Sequence, residues 1–438
     1  MTLKISQLSQ VTSVSDAWVI PAAGAGANVG IPAAYLARPS LGKRLLGNLN
    51  NSYTRHWKEQ LSVGQMAYSS TFGMITKAPC LEYTHVRVVL KNAEATPPSV
   101  TGVLVAATAS NANKVVPTTG NNLTNNGATG WVQATFGGSN SPTLVTGTQA
   151  APSVVVSDWM PLNSIAPTDG TTYPYVMARI KLGGNYSALF TGTSNNDNTK
   201  DTYLEMIGTV GDYVTSPQSL TTSSSQSFSP IFGLEFLSSS RVIKVLCVGS
   251  STTQGYGSTP IDSAYRSWVP IAQELLLSDG VPANLFNYGY AAQTTSTYAA
   301  YGKTAIDTHL PAMVFYQVFS PNDGTPTQNT VNAQYQRAMD FANYAMSKNC
   351  LPVFLFTNPN DSYDATTDNF RKSLINRCKA SGFAVCDLNP AVGDGATPER
   401  FQSGLAYDTL HPNDAGYAAM AAIAASTIKD ILSRNITY

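Results

Sequence analysis

The sequence predicts a chain of several domains that ends in a three-layer α/β/α domain built on a parallel sheet. The chain has 438 residues, which exceeds the size of one ordinary domain. Short strands of alternating pattern dominate residues 66–236, and nearly continuous apolar runs alternate with amphipathic helices from residue 237 onward. These observations divide the chain into residues 1–40, 41–65, 66–236 and 237–438.

The first forty residues form a small unit with apolar segments on both sides of a turn. Residues 18–21 (Trp-Val-Ile-Pro) and 31–36 flank the glycine- and alanine-rich stretch 23–30. This arrangement resembles the short leader of bacteriophage tail-fibre and tailspike proteins, which attaches those proteins to the virion. The resemblance implies a tail-attachment leader in residues 1–40; the alternative is a frayed N-terminal arm. For residues 41–65 we predict a helical connector.

Residues 66–236 carry the pattern of a β-sandwich. From Thr84 to Leu90 the pattern alternates, with Val86, Val88 and Leu90 on one face and His85 and Arg87 on the other. Several short strands between turn signals are typical of a sandwich, here of jelly-roll type. The Asn/Thr/Gly-rich residues 111–147 are predicted as long loops, and the Ser/Thr-rich residues 220–230 as a linker. The predicted strands cover residues 84–90, 99–107, 153–156, 175–182 and 203–210.

Residues 237–438 carry the pattern of a parallel sheet covered by helices on both faces. Strands that are buried on both faces appear as continuous apolar runs rather than as alternation. The predicted strands include residues 242–248, 312–319, 351–356 and 383–388. The helices between and after them have apolar residues on one stripe. They include residues 268–277, 330–348 and 414–432.

The charge balance excludes some classes of partner. Lys and Arg number 26, as do Asp and Glu, so the formal net charge is zero. A neutral chain lacks the electrostatic attraction expected of a general nucleic-acid or anionic-membrane binder. Charged residues make up only 12%, against about 25% in average globular proteins. Residues with hydroxyl and amide side chains and glycine, together with 22 tyrosines, replace many of the missing charged residues. This composition favours a β-rich extracellular or virion-like protein over a cytosolic enzyme.

Cysteine usage and the N-terminus narrow the class further. Five cysteines without CxxC spacing predict neither a disulfide framework nor a zinc site. Cys247 lies in an apolar run, so we predict strand core rather than a second nucleophile. Residues 1–16 lack a basic stretch followed by an apolar one, and no signal peptide is predicted. The longest stretch of small apolar residues, 418–425, is too short to span a bilayer.

The first apolar run of the C-terminal region ends in a serine-rich turn, Gly249 to Gly255. A serine on a tight turn between a buried strand and a helix is presented above the edge of the sheet, where backbone N–H groups also point. Ser251 is therefore a candidate nucleophile. The pattern alone is weak. It lacks the second glycine of GxSxG, since residue 253 is threonine, and it lacks the lysine of a phosphate-binding loop.

An Asp-x-x-His pair stands just before the last helix. Asp408 and His411 are three residues apart, close enough for both to converge in one loop. An imidazole needs a carboxylate on one nitrogen to fix its tautomer while the other nitrogen takes a proton. The alternative is a capping aspartate beside an incidental surface histidine.

Two further loops follow predicted strands. They cover residues 287–294 and 319–324. Ligands of open α/β sheets bind at the carboxyl ends of the strands, and all of these loops emerge there. The four loops together therefore predict one site.

The set of motifs closely resembles the SGNH (GDSL-like) hydrolase family over the last two hundred residues. The resemblance implies a nucleophile at Ser251 and its partners at His411 and Asp408. It also implies an oxyanion hole made of the N–H groups of Ser251 and Ala292 and the side-chain amide of Asn322.

This sequence departs from the usual SGNH pattern at three positions. Ser250 replaces the aspartate of Gly-Asp-Ser, Ala292 replaces the glycine of the second block, and Ser320 replaces the glycine of Gly-x-Asn-Asp. A backbone N–H survives at Ala292 only if the local backbone tolerates a Cβ. Ser320 is expected to alter the loop near Asn322. Near the serine, Tyr256 is predicted either to line the substrate mouth or to pack.

The resemblances together imply a serine O-acetylesterase that needs no metal or organic cofactor. As in a phage tailspike or tail fibre, it would remove acetyl groups from a bacterial capsule or lipopolysaccharide. The expected partners are this glycan and a phage tail or baseplate protein, in a homotrimer, without nucleic acid or membrane. The expected location is the virion tail, after synthesis in the host cytoplasm.

Three alternatives stay open at this point. One is a secreted bacterial carbohydrate or lipid esterase, against which the lack of a predicted signal peptide counts. Another is a glycan-binding adhesin whose hydrolase fold is catalytically silent, against which the complete set of site residues counts. A purely structural virion protein is the third.

Overall fold

The structure is a computed structural model that describes most side chains of the C-terminal region and fewer of the rest. In the C-terminal region these side chains belong to residues 242–258, 267–289, 291–307 and 309–434. Before it they belong mainly to residues 83–90, 99–107, 131–147, 153–166, 175–178 and 234–237. Beyond these and a few single residues, only the backbone elements given below are described.

Eighteen strands and one short helix precede the C-terminal region among the described residues. The helix is α1 (Leu162–Ile165). The strands are β1 (Val19–Ala22), β2 (Val29–Pro32), β3 (Ser52–His56), β4 (Gln65–Met66), β5 (Thr71–Lys77), β6 (Tyr83–Asn92), β7 (Val100–Thr108), β8 (Asn122–Leu123), β9 (Val132–Gln133), β10 (Ser153–Val156), β11 (Met160–Pro161), β12 (Tyr175–Leu182), β13 (Tyr186–Ser187), β14 (Thr191–Thr193), β15 (Thr202–Met206), β16 (Leu220–Thr221), β17 (Gln226–Phe228) and β18 (Ile231–Ser238).

Most of the longer strands of this part belong to two five-stranded antiparallel sheets. One sheet has the order β10-β6-β18-β3 with β11 also paired to β6, and the other has the order β15-β5-β12-β7-β9. Val86 and Phe236 of the first sheet share one apolar core with Val103 and Val176 of the second. That these sheets form a jelly-roll sandwich stays a prediction.

Several predictions for this part are corrected by strands that the structure contains. The expected helical connector is wrong for Ser52–His56, which pairs with β18; pairing between strands far apart in sequence decides this conformation. Residues 220–221 and 226–228 of the expected linker pair with β8 and β14. Residues 122–123 and 132–133 within the expected loops are also strands.

The leader prediction falls mostly outside the described residues. Within it, β1 and β2 pair as antiparallel strands, with Val19 opposite Pro32 and Ala22 opposite Val29. The glycine- and alanine-rich stretch therefore joins two paired strands. Its role in attachment stays a prediction.

The C-terminal region alternates strands with helices. Its strands are β19 (Ile243–Gly249), β20 (Ala283–Gly289), β21 (Met313–Gln317), β22 (Leu351–Phe356) and β23 (Ala384–Asp387). Its α-helices are α2 (Ser251–Gln254), α3 (Trp268–Ser278), α4 (Thr295–His309), α5 (Gln328–Ser347), α6 (Ala365–Ala380), α7 (Asn389–Val392) and α8 (Asp414–Ile436), and a 3₁₀-helix covers Pro321–Asp323. Among the described residues, no helix is both long and apolar enough to cross a membrane.

These elements form the predicted three layers. The five strands are parallel in the order β20-β19-β21-β22-β23, and all residues of β19 to β22 are buried. Alternate residues of β19 enter different cores: Val245 and Cys247 pack with α3 and α8, while Leu246 and Val248 pack with α4, α5 and α6. The prediction of a parallel sheet covered on both faces is confirmed.

The strand order places the candidate site. The chain runs from β19 out to β20 at one edge and then returns to β21 on the other side of β19. Loops leaving β19 and β21 therefore diverge at their carboxyl ends, which opens a crevice where open α/β sheets bind ligands. Ser251 and Asn322 follow these two strands.

Candidate active site

Ser251 is the first residue of α2, directly after the central strand. Its side chain is 7% exposed, and Ser250 before it has extended backbone angles. A Cβ added at Gly249 would lie 2.3 Å from both Gln317 Oε1 and Thr253 Oγ1. Only glycine therefore lets the strand end so close to its neighbour and turn at once into the helix.

The structure brings Ser251, His411 and Asp408 into one chain of hydrogen bonds. Ser251 Oγ lies 2.9 Å from His411 Nε2, although the two residues are 160 positions apart. His411 Nδ1 lies 2.9 Å from Asp408 Oδ2 and 3.1 Å from Oδ1. When Nδ1 donates to the carboxylate, Nε2 is left to accept the proton of the serine hydroxyl.

The Asp408 carboxylate is held in its charged form. Burial acts to raise its pKa, but hydrogen bonds from the His411 ring and from the N–H groups of Leu410 and His411 together lower the pKa below its usual value. Both N–H groups donate to Oδ1 at 2.7 Å. Asp408 is therefore ionised at neutral pH, as an orienting partner of the histidine must be.

Gln317, at the end of β21, holds the nucleophile turn. Its buried amide uses both of its ends: Oε1 accepts from the N–H of Ser250 and from Thr253 Oγ1, each at 3.0 Å. Nε2 donates to Ser250 Oγ at 3.0 Å and to the carbonyl of Phe319 at 2.8 Å. The sequence analysis missed this residue, whose signal is one amide at the end of an apolar run.

We expect Gln317→Leu to lower kcat for ester hydrolysis about 100-fold, since a small misplacement of a nucleophile has effects of that size. Buried groups left without partners also lower the free energy of unfolding by about 3 kcal/mol. Urea titration measures the free energy of unfolding, and steady-state kinetics measures kcat at a temperature where the variant is folded. Gln317→Glu, which keeps the acceptor oxygen, should lose less of each. Gln336→Leu, at an exposed position, is the control. Equal kcat in Gln317→Leu and wild type would refute the role of Gln317 in positioning Ser251.

Ala292 has the backbone conformation that glycine normally supplies. Its φ is +58°, in the left-handed region, which costs a residue with a Cβ about 1–2 kcal/mol. The neighbouring Ala291 N–H donates to Gln254 Oε1 at 2.5 Å, which fixes this turn against α2. Within the described residues the Ala292 N–H has no acceptor. The replacement of glycine thus leaves a free N–H in the expected turn.

Asn322 is placed beside the second-block loop. Its Nδ2 donates to the carbonyl of Gln293 at 3.0 Å and lies 3.3 Å from Ser320 Oγ, and its side chain is exposed. Ser320, which replaces the usual glycine, donates to the same carbonyl at 3.0 Å. The structure therefore pairs the Asn322 amide with Gln293 rather than with Ser251.

Asp323 anchors the loop that carries Asn322. Its side chain is 7% exposed and accepts hydrogen bonds from the N–H of Thr295, at 3.2 Å, and from Gln334 Nε2, at 3.0 Å. Arg337 Nη1 lies 3.4 Å away as its ion-pair partner. This carboxylate fixes the loop to the start of α4 and to α5, so we assign it a structural role that the sequence analysis did not foresee.

The loop that follows β22 supports the loop that carries Asp408 and His411. The sequence analysis also missed this support. Asn358 Nδ2 donates to the carbonyl of Leu410 at 2.5 Å, and the Asp361 N–H donates to the carbonyl of Thr409 at 2.8 Å. Its sequence signal is a mostly polar segment, 357–361, directly after the apolar strand β22.

Cys247 lies in β19 beneath the serine turn. Burial raises the pKa of its thiol well above the usual range, so it stays protonated and packs as part of the core. Within the described part of the chain, no cluster of three or more His, Cys, Asp or Glu side chains is placed to hold a metal ion.

The comparisons with known proteins address this same region. The model of the GDSL-like lipase/acylhydrolase family matches residues 247–419. No curated protein matches the chain.

Alignments with several solved structures span nearly all of each solved chain and less than half of this one. One is a psychrotrophic esterase from Pseudoalteromonas sp., with 16% identity over 43% of this chain and 98% of that one and a TM-score of 0.35. Another is a family 3 carbohydrate esterase from Clostridium thermocellum, with 16% identity, 44% and 98% coverage and a TM-score of 0.33. A third is a member of the lipolytic protein G-D-S-L family from Veillonella parvula, with 18% identity, 43% and 98% coverage and a TM-score of 0.32.

The fold and the site define a hydrolase with a serine-histidine-aspartate arrangement at the carboxyl edge of a parallel sheet. Because the family model matches this region, the C-terminal region is a GDSL-like lipase/acylhydrolase domain. Members of this family are ester-hydrolysing enzymes.

Proposed function

We propose that the protein is a serine esterase that removes O-acetyl groups from a bacterial surface polysaccharide. The observation that carries the esterase part is the chain of hydrogen bonds from Ser251 Oγ through His411 to Asp408, with 2.9 Å at each step. A nucleophile, a base and an orienting carboxylate at these distances fit acyl transfer.

In the first step Ser251 Oγ attacks the ester carbonyl and His411 Nε2 takes its proton. Asp408 keeps the imidazole in the required tautomer and stabilises the imidazolium that forms. The ester C–O bond then breaks, and His411 returns the proton to the departing alcohol oxygen. In the second half, water attacks the acyl-serine with His411 again as base, and the acid leaves.

The oxyanion of each tetrahedral intermediate is proposed to bind the N–H groups of Ser251 and Ala292. One such donor lowers the barrier by about 3 kcal/mol. Asn322 would be the third donor. This requires its amide to turn from the carbonyl of Gln293 toward Ser251 when substrate binds, as catalytic hydrogen bonds often tighten only in the complex.

The polysaccharide and the virion location rest on the sequence. The leader-like residues 1–40 and the low content of charge support a phage tailspike or tail fibre that acts on O-acetylated capsule or lipopolysaccharide. The proposed assembly is a homotrimer attached through the leader to a tail or baseplate protein.

The test is acid release from two substrates by the full-length protein. We expect hydrolysis of p-nitrophenyl acetate, followed by release of acetate from O-acetylated capsules and lipopolysaccharides but not from the same polymers after alkaline deacetylation. No activity on p-nitrophenyl acetate would contradict the esterase and favour a silent adhesin. Activity on p-nitrophenyl acetate without activity on any acetylated polymer would contradict the proposed polysaccharide substrate.

A further inference from the structure

Two exposed tyrosines stand beside the catalytic histidine. Tyr256 is 40% exposed, and the centroid of its ring lies 4.6 Å from that of the His411 ring. Tyr407 is 61% exposed, and its ring meets that of Tyr256 edge-on, with centroids 6.2 Å apart and an interplanar angle of 85°. We call Tyr256 and Tyr407 the aromatic pair.

The backbone under the aromatic pair is fixed, so the rings are presented rather than loosely attached. The Tyr256 N–H donates to the carbonyl of Ser251 at 3.0 Å, and its own carbonyl accepts from the buried Tyr417 hydroxyl at 2.6 Å. The Tyr407 N–H donates to the carbonyl of His411 at 2.8 Å. At Gly257, with φ of +92°, an added Cβ would lie 2.9 Å from the Tyr407 side chain.

The position of the aromatic pair decides which half of an ester it meets. The carbonyl oxygen of the substrate must point to the N–H groups of Ser251 and Ala292. The departing alcohol must lie beside His411, because His411 gives it a proton. Since Tyr256 packs against the His411 ring and Tyr407 against Tyr256, the aromatic pair borders the alcohol half.

We propose that the aromatic pair is the subsite for this alcohol and that it binds a pyranose ring. A tyrosine combines a flat apolar face with a hydroxyl that donates and accepts. A pyranose offers the complement, with C–H groups on its faces and hydroxyls around its rim. Neither phenol hydroxyl of the pair has a hydrogen-bond partner within the described residues, so both are open to a sugar. The inference rests on the proposed esterase function and specifies its substrate.

The test compares three acyl esters by titration of the acid released: glucose pentaacetate, ethyl acetate and ethyl butyrate. We expect Tyr407→Ala to lower the ratio of kcat/KM for glucose pentaacetate to that for ethyl acetate about tenfold. Tyr407→Phe, which keeps the ring face, should lose less than half of that preference. Tyr301→Ala removes a tyrosine that is also 40% exposed but lies on α4, and should leave the ratio unchanged.

Two results would overturn the subsite. An unchanged ratio in a folded Tyr407→Ala variant would show that the ring does not contact the sugar. A selective loss on ethyl butyrate would place the aromatic pair on the acyl side instead. Failure of the esterase itself is distinguishable, because wild type and the Tyr301→Ala variant would then hydrolyse none of the three esters.

Discussion

Ser251→Ala is expected to lower kcat/KM for p-nitrophenyl acetate by about 10⁴-fold or more, which corresponds to about 5 kcal/mol of transition-state stabilisation. The substitution removes the hydroxyl that is hydrogen-bonded to His411 Nε2, and with it the acyl-enzyme route. The N–H groups at the turn stay, so a small rate above that of water is expected to remain. Stopped-flow and steady-state assays of both proteins measure the loss.

Ser250→Ala is the matched control, because the hydroxyl of this neighbouring buried serine bonds Gln317 instead of His411. Its Oγ accepts from Gln317 Nε2 at 3.0 Å, and within the part of the chain that the structure describes it makes no hydrogen bond with His411. Losing one hydrogen bond changes stability by about 1 kcal/mol, so we expect less than a tenfold effect on kcat/KM. If Ser250→Ala were the inactive variant and Ser251→Ala the active one, the assignment of the nucleophile would be wrong.

The sequence predicted the layers of the C-terminal domain because burial on both sheet faces leaves a direct trace. The runs at β19, β21 and β22 are apolar apart from Lys244 and Gln317, and the structure buries each of their residues. It also singled out Ser251, His411 and Asp408, which the structure joins by hydrogen bonds, because an Asp-x-x-His pair and a serine turn are local patterns. That these patterns meet depends on strand order, which the alternation of strands and helices restricts strongly.

The supports of the site were not predictable in this way. Gln317 is hydrogen-bonded to Ser250, 67 positions away. Nothing near Gln317 in the sequence shows whether it holds another segment in place or is simply a polar residue in an apolar strand. The same holds for Asn358, whose partner Leu410 is 52 positions away. Side chains whose partners are distant in sequence become visible only when the fold brings those partners together.

Asp408→Asn is expected to lower kcat about 10⁴-fold with little change in fold, since an amide orients the imidazole in the wrong tautomer. The amide oxygen can still accept from the N–H groups of Leu410 and His411, so the loop should keep its shape. Its Nδ2 would donate to His411 Nδ1, which leaves Nε2 protonated and unable to take the proton of Ser251. Asp430→Asn, at an exposed ion pair with Arg434 on α8, is the control and should keep full activity.

The pH dependence gives this role a second readout. The lowered pKa of Asp408 means that its stabilising hydrogen bonds persist at neutral pH and are lost only as the pH falls through the folded-state value, below the usual 3.8. Wild type should therefore show no loss of stability from Asp408 between pH 7 and pH 5 in urea titrations. Because Asn does not titrate, the stability difference between wild type and Asp408→Asn should narrow only in strong acid. A difference that already narrows near pH 6 would show that Asp408 is not held ionised by these bonds.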